Sequence, residues 1–426
     1  MSLPPLTNLA EAYQDGSPRG VVSVCSAHPL VLRAAIQHAR DTGETLLIEA
    51  TCNQVNQNGG YTGKTPQDFA EDVAAILTNE GCPPERVILG GDHLGPNPWR
   101  HLPAQEAMTE AKSMIRAYVG AGFRKIHLDA SMGCAGEPDA LDDTTIAQRV
   151  AELAKHAEGA AAAADVPSPY YIIGTEVPPP GGADHVLQAV TPTRPDAAKR
   201  TLDIHRSAFA DSGLDTAFAR VIGLVVQPGV EFGNHNVVPY DAHAARALSA
   251  TLTEMPGIIF EAHSTDYQGG SVLADLVRDG YAILKVGPEL TFALREALYA
   301  LDLIATEVSS SYGTRPLRQT MEKLMVAEPA HWSRHYQDLA SAQLMRHYSL
   351  SDRIRYFWND PAAQRAVVHL FDTLDARTVP WPVLRQFLPD VDMQSTGEFD
   401  PRQWVIGRIQ KVLRIYSAAA SQETRT

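Results

Sequence analysis

The sequence feature that most constrains the fold is a two-part unit that occurs eight times between residues 21 and 308. Each unit begins with a short apolar or β-branched run, which predicts a strand, and continues into an alanine-rich helical segment. Strict alternation of strand and helix predicts a parallel sheet. Eight units favour a closed TIM (β/α)8 barrel over an open sheet, since no GxGxxG turn follows the first strand. The predicted strands are Val21–Cys25, Thr45–Glu49, Val87–Gly91, Lys125–Asp129, Tyr170–Glu176, Val221–Gln227, Ile258–His263 and Ala282–Val286.

The chain of 426 residues is longer than the roughly 250 residues of a typical barrel, so an added part is expected. From residue 314 onward we find helical patterns and no strand pattern. The sequence therefore predicts a (β/α)8 barrel over residues 1–305 and a C-terminal helical extension over residues 306–426 that packs on the barrel.

Composition excludes several classes of protein. The formal charge of −14 disfavours nucleic acid as a partner. No apolar run approaches the ~18 residues of a membrane span, so no membrane association is expected. The four cysteines form no CxxC pair, and Met1–Gly16 does not read as an export signal. We therefore expect a cytoplasmic protein with reduced thiols.

Polar residues recur where the predicted strands end. The clearest case is the apolar run Ile88–Gly91, which stops at Asp92 and His93. Because the carboxyl ends of barrel strands share one mouth, these side chains predict a site there. The polar residues in question are Ser26, His28, Glu49, Asn53, Asp92, His93, Asp129, Ser131, Glu176, Gln227, His263, Ser264, Asp266 and Lys285.

Two strands also carry ionisable residues on one face. Alternation places Lys125, His127 and Asp129 on the same side of the fourth strand, and Glu261 and His263 on the same side of the seventh. If these faces point into the barrel, their charges must pair with one another or bind a cation. Both a divalent metal site and a metal-free ion-pair network satisfy that requirement.

Histidines with carboxylates suit a divalent first-row metal such as zinc or manganese. His93 and His263 are the preferred ligands, Glu176 is the third candidate and Asp129 the reserve. Asp92 is the candidate acid/base, provided that the glycines around it let the chain turn so that Asp92 and His93 face the same way. The alternative role for Asp92 is to cap the following turn.

Phosphate sites in barrels favour the loops after the seventh and eighth strands. Gly229, Ser264 and Gly287 are therefore phosphate candidates, although a plain turn accounts for each of them as well. Lys285 could form a Schiff base with a carbonyl substrate, or it could pair with Glu261 inside the barrel.

The extension contains one further candidate. Ser351 precedes Asp352 and Arg353 in what reads as a capped helix start. Arg353 or Arg355 could fold back to the mouth and bind the substrate phosphate, as guanidinium geometry allows. An ordinary surface ion pair is the alternative.

Several long motifs together resemble one known family, the so-called non-catalytic subunit of class II tagatose-bisphosphate aldolase. The resemblance runs from about residue 20 to about residue 415 and includes the extension. The motifs that carry it lie at residues 23–29 (SVCSAHP), 48–57 (IEATCNQVNQ), 91–97 (GDHLGPN), 127–132 (HLDASM), 174–178 (GTEVP), 226–232 (VQPGVEF), 261–266 (EAHSTD), 284–288 (LKVGP) and 349–356 (SLSDRIRY).

The resemblance implies a TIM barrel and a place in the breakdown of galactitol and tagatose 6-phosphate. An older label for the family is tagatose 6-phosphate kinase, but no GxxxxGK[ST] nucleotide loop is present. The family is similar at greater distance to catalytic class II aldolases, in which histidines hold a metal and an Asp beside one of them moves a proton. Where those enzymes have another metal histidine near the sixth strand, this chain has Gln227, so either the metal is lost or Glu176 and Gln227 complete a different site.

From this resemblance we expect a metal-dependent enzyme acting on a phosphorylated ketohexose. Some relatives are understood as D-tagatose 6-phosphate 4-epimerases, and we expect the same reaction here, by breaking and re-forming the C3–C4 bond. The expected catalytic residues are Asp92, Asp129, Glu176 and Lys285, with Glu49, Asn53, Gly229, Ser264, Asp266, Gly287, Arg353 and Arg355 binding the substrate or its phosphate. The alternative is a non-catalytic subunit that stabilises a separate class II aldolase. A homo-oligomer is expected in either case.

Overall fold

The computed structural model describes residues 4–175, 190–336, 339–375, 377–389 and 399–422. Eight parallel strands close into a barrel in the order β1-β8-β7-β6-β5-β4-β3-β2, which confirms the predicted fold. The strands are β1 (Val21–Cys25), β2 (Leu46–Thr51), β3 (Val87–Leu94), β4 (Lys125–Leu128), β5 (Tyr170–Ile173), β6 (Val221–Val226), β7 (Ile259–Ala262) and β8 (Tyr281–Val286). A two-stranded antiparallel hairpin, Glu231–Phe232 with Val237–Val238, follows β6.

One helix follows each strand and covers the outside of the barrel. Capping residues fix where several of these helices begin. For example, Thr65 forms a capping box with Asp68 at the start of the second helix. The helices are α1 (Pro29–Thr42), α2 (Pro66–Glu80), α3 (Ala104–Gly120), α4 (Asp143–Ala164), α5 (Pro195–Asp211), α6 (Ala242–Ser249), α7 (Gly270–Arg278) and α8 (Pro288–Val308). Short helices Pro4–Thr7, Leu9–Gln14 and Asp215–Phe218 complete this part.

The interior of the barrel has an apolar lower half. Side chains from alternate strand positions, such as Leu47, Ile172 and Ile259, form one buried cluster there. Leu6 and Leu9 from the two N-terminal helices belong to the same cluster. The amino-terminal end of the barrel is therefore filled by packing, and polar chemistry is confined to the opposite end.

The described part of the extension consists of helices joined by turns and loops, without strands. Its helices are α9 (Pro316–Ala327), α10 (Leu339–Tyr348), α11 (Pro361–Asp375), α12 (Trp381–Phe387) and α13 (Pro401–Ala420), with 3-10 turns at Pro329–His331 and Arg353–Phe357. Helix α13 packs against α1, α7 and α8. The division of the chain into two domains at residue 305 stays a prediction. No helix in the described ranges is long and apolar enough to span a membrane.

Three local predictions differ from the structure. Strand β3 continues past Gly91 to Leu94, and β5 ends at Ile173, short of its predicted end at Glu176. The predicted capped helix at Ser351 is wrong, because Asp352 has a left-handed φ of 44° and a 3-10 turn begins after it. Glu176 lies outside the described residues.

Candidate active site

A layer of buried charges lies across the upper half of the barrel. Lys125 Nζ is 2.8 Å from Glu49 Oε2 and 2.7 Å from Glu261 Oε2, and Lys285 Nζ is 2.8 Å from Glu49 Oε1. Gly90 makes room for this layer, since a Cβ there would lie 2.8 Å from Cγ of Glu49. Two ammonium groups thus neutralise two carboxylates, as burial of charge requires.

Three buried histidines lie together at the carboxyl end of the strands. The ring centroids of His93 and His127 are 5.0 Å apart, those of His93 and His263 are 4.9 Å apart, and those of His127 and His263 are 5.2 Å apart. They come from β3, β4 and the end of β7. The barrel therefore brings together residues that are up to 170 positions apart in the sequence.

Two of these rings are oriented by aspartates. His93 Nδ1 is 2.8 Å from Asp129 Oδ2, and His127 Nδ1 is 2.9 Å from Asp92 Oδ1. A carboxylate oxygen only accepts, so each ring nitrogen in these contacts carries the proton and donates it. The backbone N–H of His93 also approaches His127 Nδ1, at 3.2 Å, but the shorter contact with a carboxylate determines the tautomer.

The ring of His263 is also oriented by a carboxylate. His263 Nε2 is 2.9 Å from Glu261 Oε1. Burial, opposed by the hydrogen bond to Glu261, lowers the pKa of His263 to about 3, so this ring is neutral. Each of the three histidines thus donates one N–H to a carboxylate, which is the arrangement that orients metal-binding histidines in proteins. Burial would lower the pKa of His93, but Asp92 and Asp129 outweigh it and raise that pKa, so a cation that binds the second nitrogen of His93 must displace a proton.

The residue types and positions here fit a divalent cation. One possible ligand atom from each of Asp92, His93, His127 and His263 lies within 4.8 Å of the others. His127 Nε2 is buried and has no hydrogen-bond partner among the described residues. Because an orphaned buried nitrogen is costly, this atom is an independent sign that the cluster binds a cation. Imidazole nitrogens and a carboxylate suit zinc or manganese.

A local irregularity lets Asp92 and His93 face the same site. Consecutive strand residues normally point to opposite faces, but His93 has a left-handed φ of 50° and the pairing of β3 with β4 shifts between Gly91 and Leu94. Gly95 then passes so close to β4 that a Cβ would lie 1.6 Å from the backbone oxygen of Asp129. The expected turn after Asp92 is therefore a bulge inside the strand.

Asp92 is the carboxylate in the best position for proton transfer. Its Oδ1 accepts from His127 and from Lys285 Nζ at 2.8 Å, whereas its Oδ2 lies 4.0 Å from Cys25 Sγ. Burial alone would raise the pKa of Asp92, but the charges of His93 and Lys285 hold it well below its usual value. Asp92 is thus ionised at neutral pH and able to accept a proton.

An open cavity lies above the histidines. It encloses about 930 Å3 of empty space, part of it open to solvent. Of the residues predicted for the site, the cavity brings together Asn53, Asp92, His93, His263, Ser264, Asp266, Lys285, Gly287 and Arg355. Tyr61, Tyr356 and Trp358 also line it, and the last two of these belong to the extension.

Other predicted residues lie elsewhere. Gln227 Oε1 accepts from the backbone N–H groups of Gly229 at 2.7 Å and Val230 at 3.0 Å, so Gln227 holds a turn, and it is not among the residues that line the cavity. Gly229 is the turn glycine, with a φ of 94°. Glu49 lies in the buried charge layer below the cavity, and Arg353 contacts His335 at 3.3 Å behind it.

Two acids occupy the amino end of α8. Asp266 Oδ1 accepts from the N–H groups of Gly287 at 3.0 Å and Glu289 at 2.8 Å. Burial raises the pKa of Asp266 to about 6. The pKa of Glu289 rises to about 7 because Glu289 is buried and lies beside Asp266. The backbone donors that made Gly287 a phosphate candidate are therefore already used.

His127 is the candidate ligand that sequence reasoning did not choose. The alternation along β4 placed it on the same face as Asp129, but nothing in the sequence showed that its ring meets His93 and His263. Only the register of the closed barrel brings these three strands' ends together. His127 supplies the third imidazole that Gln227 does not.

The fold and the histidine cluster together define a TIM-barrel protein with a candidate divalent-metal site at the carboxyl ends of its strands. The chain belongs to the D-tagatose-1,6-bisphosphate aldolase subunit GatZ/KbaZ-like family, whose sequence model matches residues 6–421. The resemblance inferred from the motifs is thereby confirmed.

Two relatives are similar over nearly the whole chain. A D-tagatose 6-phosphate 4-epimerase from Agrobacterium fabrum is 58% identical over 418 residues, which cover 98% of each chain. A crystal structure from Sinorhizobium meliloti 1021, described as a probable tagatose 6 phosphate kinase, superposes with a TM-score of 0.86 at 51% identity. That match covers 94% of this chain and 100% of the other.

Proposed function

We propose that this chain is a metal-dependent D-tagatose 6-phosphate 4-epimerase that forms D-fructose 6-phosphate. The observation that carries the proposal is the cluster of three carboxylate-oriented histidines with Asp92 beside them at the mouth of the barrel. The 58% identity to the Agrobacterium fabrum epimerase supports the choice of substrate. A kinase has no support, since the sequence contains no GxxxxGK[ST] loop.

Inversion at C4 is achieved by breaking and re-forming the C3–C4 bond. Removal of the C4-hydroxyl proton turns C4 into an aldehyde, and the electron pair of the broken bond forms an enediolate over C2 and C3. The aldehyde then presents its other face, C3 attacks it, and the proton returns to the C4 oxygen. Direct removal of the C4 hydrogen is less suitable, because that hydrogen is not adjacent to the carbonyl.

Residues of this chain fit the steps of that reaction. Asp92 accepts the C4-hydroxyl proton and gives it back, while Lys285 holds its Oδ1 in place. Asp129 keeps the His93 ring oriented. A divalent ion held by His93, His127 and His263 would supply a Lewis acid for the C2 carbonyl oxygen and the enediolate. We keep Glu176 as a proposed metal ligand or catalytic acid. The proposed metal is zinc or manganese.

The test uses the purified chain alone. We expect it to convert tagatose 6-phosphate to fructose 6-phosphate, to lose that activity after chelation, and to regain it with zinc or manganese. The control is the same chelated sample returned to buffer without metal. Absence of conversion by the metal-loaded chain would contradict the proposal.

A second candidate follows from the description of the family as an aldolase subunit. In that case the chain would bind and stabilise a separate class II aldolase without turnover of its own. Mixing the chain with such an aldolase and measuring cleavage of tagatose 1,6-bisphosphate separates the two. An accessory subunit stimulates the aldolase and lacks epimerase activity. Its Asp92→Asn variant stimulates the aldolase as well as the wild type does.

We also propose that the chain forms a homo-oligomer in the cytoplasm.

A further inference from the structure

The usual phosphate position of a barrel is filled by this chain itself. The N–H groups of Gly287 and Glu289 at the start of α8 both donate to Asp266, and the Tyr267 N–H donates to Glu289 Oε2 at 2.7 Å. A phosphate placed there would meet two acidic side chains instead of free donors. The phosphate group of a sugar phosphate therefore needs another partner within the same cavity.

The part of the cavity lining that the extension contributes carries a suitable group. Arg353 Nη1 lies 3.3 Å and Arg355 Nη2 lies 3.1 Å from the hydroxyl oxygen of Tyr356. A phenol oxygen has two lone pairs and one proton. Because guanidinium groups only donate, these contacts use both lone pairs, and the Tyr356 O–H is left to donate to a third group. Arg355 and Tyr356 both line the cavity.

The arrangement is rigid before any ligand arrives. The ring of Tyr356 stacks on His331 at 4.6 Å and meets Tyr61 edge-on at 4.7 Å. The Arg355 guanidinium lies 4.6 Å from the centre of the Tyr356 ring, and its Nη1 donates to the carbonyls of Ser351 and Asp352, which leaves Nε and one N–H of Nη2 for a ligand. A donor pair fixed in this way loses little conformational entropy on binding.

We propose that Arg355 and the Tyr356 hydroxyl bind the phosphate monoester of the substrate, an inference that rests on the proposed epimerase function. The guanidinium supplies charge and directional donors, and the phenol supplies one more O–H donor. His93 and His263 line the same cavity, so the extension and the barrel each hold one end of the substrate. Selection for a phosphorylated sugar is thus assigned to residues outside the barrel.

The experiment compares Arg355→Met and Tyr356→Phe with Arg365→Met, a control at an exposed arginine of α11. For Arg355→Met we expect KM for tagatose 6-phosphate to rise roughly tenfold or more, because a charge-assisted hydrogen bond to the phosphate is lost. The change in kcat should be smaller. Inorganic phosphate should inhibit the wild type competitively and inhibit this variant much less. Tyr356→Phe should show the same pattern more weakly, and Arg365→Met should match the wild type.

A second measurement keeps the result independent of turnover. Calorimetric binding of fructose 6-phosphate and of fructose to the metal-loaded wild type and Arg355→Met tests whether the loss depends on the phosphate group. A loss confined to fructose 6-phosphate supports the site, whereas an equal loss for both sugars shows a structural role and overturns it. Unchanged KM in an active Arg355→Met variant also overturns it. A wild type that binds fructose 6-phosphate through Arg355 but does not turn over would refute the epimerase alone.

Discussion

The ammonium group of Lys285 lies 2.8 Å from Asp92 Oδ1 and 2.8 Å from Glu49 Oε1. Burial alone would lower the pKa of Lys285, but the charges of Asp92, Glu49 and Glu261 outweigh it and hold the pKa well above its usual value. A lysine must be neutral to attack a carbonyl. The geometry therefore favours an ion-pairing role for Lys285 over a Schiff base.

From that pairing we predict that borohydride added with tagatose 6-phosphate leaves the mass of the protein unchanged. Intact-protein mass spectrometry is the measurement. A mass increase the size of the substrate, mapped to Lys285 and insensitive to chelator, would replace the metal route with a covalent one. Loss of activity in Lys285→Ala alone decides nothing, because that change also removes one buried cationic partner from both Glu49 and Asp92.

The metal prediction concerns the three histidines. We expect about one divalent ion per chain in the purified wild type, and a fall of roughly tenfold in the content of His93→Ala, His127→Ala and His263→Ala. Elemental analysis by mass spectrometry measures it. His243→Ala, at an exposed position of α6, is the matched control and should keep the ion. Full occupancy in all three site variants would reject the cluster as a metal centre.

The proton-transfer prediction concerns Asp92. We expect Asp92→Asn to lower kcat for the epimerisation by roughly 10²-fold or more, the usual contribution of a general acid or base, with a much smaller change in KM. Steady-state kinetics provides both values. Asp211→Asn, at an exposed position of α5, should behave as the wild type. If kcat of Asp92→Asn stays within a few-fold of the wild type, another group moves the proton.

The pH prediction concerns Glu289, whose pKa rises from 4.5 to about 7 in the folded protein because it is buried. The folded state therefore holds this proton more tightly than the unfolded state does. The resulting stabilisation is complete below pH 4.5 and is lost as the pH rises through about 7. Asp266, whose pKa rises to about 6, acts in the same direction.

We expect the free energy of unfolding of the wild type to be lower at pH 8 than at pH 5 by on the order of 2 kcal/mol from Glu289. Glu289→Gln should shrink that difference, since glutamine does not titrate. Urea unfolding at the two pH values measures it, and Glu328→Gln at an exposed site is the control. An unchanged pH dependence in Glu289→Gln would show that Glu289 is ionised throughout.

The barrel could be predicted from sequence because its signals are local. Alternation of apolar runs and alanine-rich helices, with turn residues between them, gave all eight strands within a few residues of their observed bounds. The position of Asp92 and His93 at the mouth followed from the cost of burying charge. These inferences need only the neighbours of a residue along the chain.

The details of the site depend on register and could not be predicted in the same way. The choice of His127 over Gln227 depends on which strand ends converge, and this is set by the closed barrel as a whole. The shared direction of Asp92 and His93 depends on a left-handed residue within β3, where a turn after the strand was expected. The hydrogen bond that the Gly287 N–H donates to Asp266 is likewise a contact between two loops.

Helix α13 lies over the region where the first and last strands of the barrel meet. The N–H of Gly20, just ahead of β1, donates to the carbonyl of Ala420 at 2.8 Å, and His38 Nε2 lies 2.7 Å from Ser417 Oγ. Partners about 400 positions apart in the chain can meet only after all of the barrel between them has been synthesised. A ribosome-bound chain therefore emerges with this contact unmade, and the beginning of β1 is fixed only when α13 folds onto it.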